Sequence, residues 1–549
     1  MIDPGLIVLL LVVLIPLAAW LAARWPAQHT AAAERWLDGA AAPVVLGLIS
    51  GLTLWWTWGS LHPVEVIHDE TAYLLQAAML AHGRMAGPPR PLPEFFEQFQ
   101  VFASPVLAAK YPPGFALALL PGIWLGLPGL MPVMMIGLSG GLIFALARRL
   151  AGSGVALLAW LCWLLAPGSI PFRHLIMSET LTTTLWLGGW WALLEWRQQG
   201  SARWLVIAAG LGAWCLLTRP LTGLAYVVPL GIAAITIAAR RGWMHQLPAA
   251  MAVGAGVLSI LLWQNRVVTG SWGQTAWTHY TAVYAPSDHF GFGVDSTPPQ
   301  RSLPPDFQDY VWYYGEFHKG FEPANLPAIF VERSTQVLQA AWGPAVPIAA
   351  VLAGLGLAAS GPPLLLATGT ALLLLLVHLG FAHPAEWSIY YEETLPILAI
   401  LTALGTARVI GLIGARVRRE APQPGADQRT VPALLLLSAV LVLYAPSHLT
   451  AARLNDRLLS EYHRQFRRRV VELPGRTIVF VRYAKNHIFH RSLISNPADL
   501  ADARSWIVYD RGVDNARLER IAPDRVSYLY IERGDSLRLL TPGDTLTTR

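Results

Sequence analysis

Twelve apolar runs, each close to the length that crosses a bilayer, limit this chain's architecture more than any other feature. They cover about 5–23, 41–60, 130–147, 154–172, 176–195, 204–217, 221–239, 247–263, 340–358, 364–381, 394–413 and 431–447. A helix needs roughly 20 such residues to pass a hydrocarbon core of about 30 Å. The chain has 549 residues, of which 54% are hydrophobic and only 13% charged. A soluble domain carries about a quarter charged residues. The expected fold is therefore an all-α polytopic membrane protein with about 12 transmembrane helices. A thirteenth run, 115–127, stops at Pro128-Gly129. It is too short to span and reads as re-entrant or interfacial. Residues 1–5 carry no basic group, so run 5–23 reads as a retained helix, not a cleaved signal.

Charge sets the orientation. Arg24 and Arg35, Arg148 and Arg149, Arg197 and Arg203, Arg240 and Arg241, and Arg416, Arg418 and Arg419 fall on one side if 115–127 does not cross. The positive-inside rule makes that side cytoplasmic. The other side receives segments 61–113, 264–339 and the tail 448–549. Segment 264–339 holds seven Asp/Glu against four Lys/Arg, as suits an outer loop. The arginines between 453 and 469 run against this assignment, although long domains translocate with little regard to charge. The net charge of +6 comes from topology-setting loops, so no nucleic-acid partner is expected; the bilayer is one.

Two domains follow: 1–447 in the membrane and 448–549 as a small soluble α/β domain outside it. Residues 477–483, 505–509 and 526–531 are rich in β-branched and aromatic side chains and predict strands. Residues 498–504 and 514–521 predict helices. Cys162 and Cys215 both lie in apolar runs, so no disulfide framework or thiolate metal site is built.

Ionisable residues gather in the segments opposite the arginines. The first segment holds His68, Asp69, Glu70 and Tyr73 at the start of a short surface helix, then Lys110, Tyr111, Pro112, Pro113 and Gly114. Asp69 and Glu70 read either as helix-capping carboxylates or as site acids. Lys110, the only lysine before 319, reads as a snorkelling anchor or as an anion ligand. Arg173, His174 and Glu179 follow, then Thr218, Arg219 and Pro220, then Tyr390, Tyr391, Glu392, Glu393 and Pro396. A transporter more often places such groups near the bilayer midplane. This arrangement points to a site at the membrane surface, open to lipid and water. The aromatic loop 264–339, with Tyr280, Tyr284, Trp312, Tyr313 and Tyr314, reads either as a lid or as an interfacial belt.

This ordered set, spread over roughly 41–415, resembles the GT-C superfamily of lipid-phosphate-sugar-dependent glycosyltransferases. It is most similar to the bacterial branch with the aminoarabinose and protein-O-mannosyl transferases and the rhizobial lipopolysaccharide glycosyltransferases. Departures are Glu179 where the family often has Asp, and Glu392 and Glu393 following Tyr391 where a basic residue often precedes that stretch. The resemblance implies transfer of a sugar from a polyprenyl-phosphate donor to a glycan, lipid or protein acceptor, with inversion, on the outer face of a bacterial inner membrane. It implies that Asp69 is the general base and that Glu70 and Glu179 orient the acceptor. Lys110, Tyr111, Arg173, His174, Arg219, Tyr390 and Tyr391 would bind substrate. A divalent cation (Mg2+ or Mn2+) on Asp69 and Glu179 is left open. The competing assignments are a flippase or transporter, or a polymerase or ligase, of lipid-linked glycans.

Overall fold

The computed structural model describes residues 4–24, 30–419 and 430–541. The apolar runs fold as helices because a backbone in lipid must satisfy its own hydrogen bonds. In chain order the helices are α1 (Pro4–Arg24), α2 (Ala31–Asp38), α3 (Ala41–Trp58), α4 (His68–Ala81), α5 (Gly114–Trp124), α6 (Leu130–Ala151), α7 (Ser153–Leu164), α8 (Ile170–Arg173), α9 (Glu179–Gln199) and α10 (Ala202–Thr218). They continue as α11 (Pro220–Arg241), α12 (Leu247–Thr269), α13 (Ala276–Tyr284), α14 (Pro305–Lys319), α15 (Leu326–Trp342), α16 (Val346–Ala358), α17 (Pro362–Val377), α18 (Leu395–Arg418), α19 (Val431–Glu472) and α20 (Asn515–Ile521).

The chain is a multi-pass membrane protein. Among the described residues, 8 helices are long and apolar enough to cross a membrane by length and composition, and four shorter apolar helices accompany them. One expected span is cut. Run 154–172 stops as helix at Leu164, ahead of Pro167, which cannot continue it, and Gly168 then donates its N–H to the Ala340 carbonyl at 3.0 Å. A Cβ on Gly168 would lie 2.5 Å from the Ala340 Cα, so only glycine permits the contact. Run 340–358 is split at Gly343, whose φ of +51° lies in the left-handed region. The short run is helix α5, at 11 residues about half the length needed to span.

The arginine-rich turns meet at one end of the bundle. Arg148 donates to the carbonyls of Leu37 and Gly39 at 2.8 and 2.7 Å, and Arg149 pairs with Glu195 at 2.6 Å. Trp196 and Gly200 bond Gln246 just beyond Arg241.

At the opposite end α19 runs on for 42 residues, about 63 Å, through residue 448 without a break. Its arginines find partners there: Arg467 pairs with Glu65 of the first loop and Arg469 with Asp535 of the tail. That pairing explains a basic run beyond the last span.

The tail carries β3 (Thr477–Arg482), β4 (Ser505–Tyr509), β5 (Val526–Ile531) and β6 (Ser536–Leu539), after a two-stranded ribbon of β1 (Val101–Phe102) and β2 (Ala108–Ala109) in the first loop. The sheet order is β4-β3-β5-β6, with β3 parallel to both neighbours and β6 antiparallel to β5. Alternation along β3 divides two cores. Ile478 and Phe480 pack with Phe95 and Phe96 of the first loop. Val479 and Val481 pack with Phe99, Tyr280, Tyr284 and Phe307. Both loops are thereby locked onto the tail.

Residues 498–504 are not helical, contrary to expectation. Arginines take their carbonyls. Arg90 bonds Ala498, Arg525 bonds Leu500, Ala503 and Arg504, and Arg476 bonds Ala501. A guanidinium fork satisfies those acceptors as well as helical N–H groups would.

Single cysteines at His82, Ser296 and Ala516, all exposed, test the orientation. We expect each to react with an impermeant thiol reagent in outer-permeabilised cells, and Ala32→Cys to react only after lysis. Protection of position 516 until lysis would invert the tail.

Candidate active site at the loop end of the bundle

The site starts from the N-terminus of α4, where backbone N–H groups need acceptors. Glu70 supplies them. Its carboxylate accepts from the N–H of Val66 at 2.7 Å, Ile67 at 3.1 Å and Ile176 at 2.9 Å, joining α4 to the turn before α9. Glu70 is thus a clamp, with both carboxylate oxygens engaged by backbone N–H groups. Burial lifts its pKa to about 7 against the pull of those three N–H donors.

The neighbouring Asp69 is left facing the site, with a side chain 21% exposed. It accepts a hydrogen bond from the Tyr111 hydroxyl and lies 3.5 Å from His68 Nε2. Burial pushes its pKa up, but His68, the Tyr111 hydroxyl and Lys110 outweigh it and hold the carboxyl below its usual value. Tyr111 is pushed far above 10, chiefly by burial and then by Asp69, so it keeps the proton it donates. Burial lowers His68 to about 4, so its imidazole is neutral at physiological pH.

Tyr111 is fixed on all sides. Its carbonyl accepts from Gln76 at 2.9 Å and Gln264 at 2.7 Å, and its ring stacks on Tyr73 with centroids 4.4 Å apart. The turn continues into Gly114, where a Cβ would sit 2.3 Å from the Thr218 hydroxyl and 2.8 Å from the Leu217 carbonyl. Trp214 donates to the Gly114 carbonyl at 2.9 Å. Two distant stretches of sequence, 110–114 and 218–220, therefore touch.

Lys110 is buried. Its Nζ lies 3.7 Å from Asp288 and 5.5 and 5.3 Å from the rings of Tyr111 and Tyr280. Burial lowers its pKa, while Asp288 and Asp69 oppose that shift. Arg219, the cap of α11, pairs with Glu179 at 2.6 Å and lies over the Tyr390 ring at 5.2 Å. The other oxygen of Glu179, Oε2, is buried without a hydrogen-bond partner. Asp69, Asp288, Glu179 and Arg219 all act electrostatically on the Tyr390 phenol. One ring of groups results: the part-exposed Asp69, the buried carboxylates of Asp288 and Glu179, two cations and several phenols.

Three expected ligands are committed elsewhere. Arg173 donates to the Trp163 and Leu164 carbonyls at 2.9 and 3.1 Å, closing the end of α7. His174 bonds Thr57 at 2.8 Å and faces Asp456 at 3.7 Å. Tyr391 is fully buried and bonds His383 at 2.9 Å. Glu392 and Glu393 accept from Ser169 and Thr182. As for a cation, Asp69 is engaged by Tyr111 and Glu179 by Arg219, and no three His, Cys, Asp or Glu side chains form a metal-holding group among the described residues.

Sequence analysis missed Asp288 and His490. The only signals were the acid excess of 264–339 and the need of a buried Lys110 for a counter-ion. His490, from the tail, stacks on His68 at 5.2 Å and meets Trp387 edge-on at 5.6 Å. The soluble tail thus reaches the rim beside Asp69.

No protein-family model and no curated protein matches this chain. Solved structures are similar to it. One is ArnT from Cupriavidus metallidurans bound to undecaprenyl phosphate, at 14% identity over 90% of this chain and 94% of that one, with a TM-score of 0.49. Arabinosyltransferase EmbB from Mycobacterium smegmatis is 13% identical over 78% of this chain and 39% of its own, with a TM-score of 0.38. Oligosaccharyltransferase AglB from Archaeoglobus fulgidus, in complex with an inhibitory peptide and a dolichol-phosphate, is 12% identical over 89% of this chain and 69% of its own, with a TM-score of 0.37.

Glu70→Gln should destabilise the fold, because an amide offers one acceptor oxygen to three N–H donors. We expect a loss of about 1–3 kcal/mol and a lower melting temperature of the purified protein. An unchanged melting temperature would deny Glu70 its clamping role.

Proposed function

We propose that this protein is a membrane glycosyltransferase that moves a sugar from a polyprenyl-phosphate carrier to an acceptor on the extracytoplasmic side, inverting the anomeric carbon. The observation that carries this reading is the ring just described. Asp69 is partly open to solvent and held ionised, while Lys110 and Arg219 stand on the same ring.

Each part has a task in the transfer. The acceptor hydroxyl attacks the anomeric carbon as its proton passes to Asp69. The bond from that carbon to the phosphate oxygen breaks, and its electron pair leaves with the polyprenyl phosphate. Lys110 and Arg219 offset the charge that grows on this phosphate, and buried cations do so more strongly than hydrated ones. Tyr111 and His68 orient Asp69, so the base does not reorganise at the moment of reaction. Glu179 sets the direction of Arg219. The short α5, whose end leaves Trp124 and Leu125 each 65% exposed, gives a carrier tail a path from lipid.

Asp69→Asn keeps the volume and still accepts from Tyr111, so its melting temperature should stay near wild type. Sugar transfer by the purified variant should fall about 10²–10⁴-fold, the usual worth of a general base. Transfer within a fewfold of wild type would remove Asp69 from the chemistry. Lys110→Met, which keeps the apolar stem, should raise the donor KM; an unchanged donor KM and turnover would leave Lys110 a structural cation.

A further inference from the structure

Lys110 already has an anion. Asp288 reaches it from the segment between α13 and α14, and both side chains are buried, at 6% and 5% exposure. The contact of 3.7 Å is longer than a hydrogen bond, so the ammonium is paired but not saturated. Asp288 has a second partner to turn to, since the Tyr310 hydroxyl donates to its Oδ2 at 2.6 Å. The oxygen that faces Lys110 is thus shared with a phenol from α14.

We propose that Asp288 is a positioning residue that holds Lys110 in place and competes with the carrier phosphate for its ammonium, so that arrival of that phosphate releases segment 285–304. This rests on the donor reading above. One buried ammonium cannot fully compensate a carboxylate and a phosphate together, because two anions near one cation repel across a medium of low permittivity. One of them must yield, and the carboxylate on a loop yields more readily than the lysine on a turn fixed by Gln76, Gln264 and Gly114. The geometry gives that release a route. Tyr310 meets Phe489 of the tail at 5.4 Å, and Phe489 packs on His490 at 4.2 Å, which stacks on His68 beside Asp69. Binding energy from the carrier phosphate is coupled in this way to the wall that the acceptor must pass.

The test is a double-mutant cycle on the detergent-solubilised full chain, with undecaprenyl phosphate as the probe. Asp288→Asn keeps volume and still accepts from Tyr310. It should tighten probe binding on the order of tenfold, a usual size for coupling between two sites. In the Lys110→Met background the same change should have less than about twofold effect. Asp288→Ser serves as a second variant, with the same expectation, if the first has a lowered melting temperature. Hydrogen exchange across 285–304 should rise when the probe binds wild type and stay constant in Lys110→Met. An equal gain in both backgrounds would mean simple charge repulsion and overturn the proposal. So would no gain, or exchange that does not change. If wild type binds no undecaprenyl phosphate while Asp69→Asn still abolishes transfer, the carrier assignment fails and this inference fails with it. If wild type binds and the cycle shows no coupling, only the inference falls.

Discussion

A charge withdrawn from water must meet a partner, and the loop end of this bundle is organised around that requirement. Lys110 meets Asp288, Arg219 meets Glu179, Asp69 meets the Tyr111 hydroxyl, and Glu70 meets three backbone N–H groups. The pairings of Lys110, Arg219 and Asp69, and the Ile176 contact of Glu70, also join elements far apart in sequence. Glu70 binds α4 to the turn before α9, and Glu179 binds α9 to α11. The electrostatic demand and the architectural one are met by the same contacts. Asp69 differs from the others in remaining part-exposed.

The fold class was legible because the bilayer imposes a length on every apolar run, and length can be counted. The contacts at the interruptions were not. Residues 154–172 stay apolar past Leu164, and although Pro167-Gly168 marks a stop, nothing local shows that Gly168 docks on the Ala340 carbonyl. The same holds in the tail. The strands announced themselves through β-branched and aromatic runs, while 498–504 has helical composition but surrenders its carbonyls to Arg90, Arg476 and Arg525. No local rule contains that information.

Among site residues, type alone could not separate two uses of one group. Arg173 and Arg219 look alike as arginines in short turns, yet one closes a helix end with backbone carbonyls and the other faces the ring of site groups. Glu70 and Asp69 are adjacent, yet one is consumed by capping and the other is not. The deciding factor is whether backbone donors or acceptors lie within reach, which tertiary structure sets. Asp288 and His490 were invisible for a related reason: each comes from a segment with no motif of its own and gains meaning only from what it touches.

The length of α19 has a consequence of its own. This helix leaves the membrane and carries the sheet whose loop brings His490 over His68, so it works as a ruler between lipid and the rim beside Asp69. Its phase matters as much as its reach. Inserting a single residue between Pro446 and Glu461 would turn everything beyond by about 100° and lift it by about 1.5 Å. Arg467 would swing away from Glu65, and the tail would present a different face to Asp69. Inserting seven residues would nearly restore the phase and raise the tail by about 10 Å. Drift in the number of residues along this strut is therefore quantised.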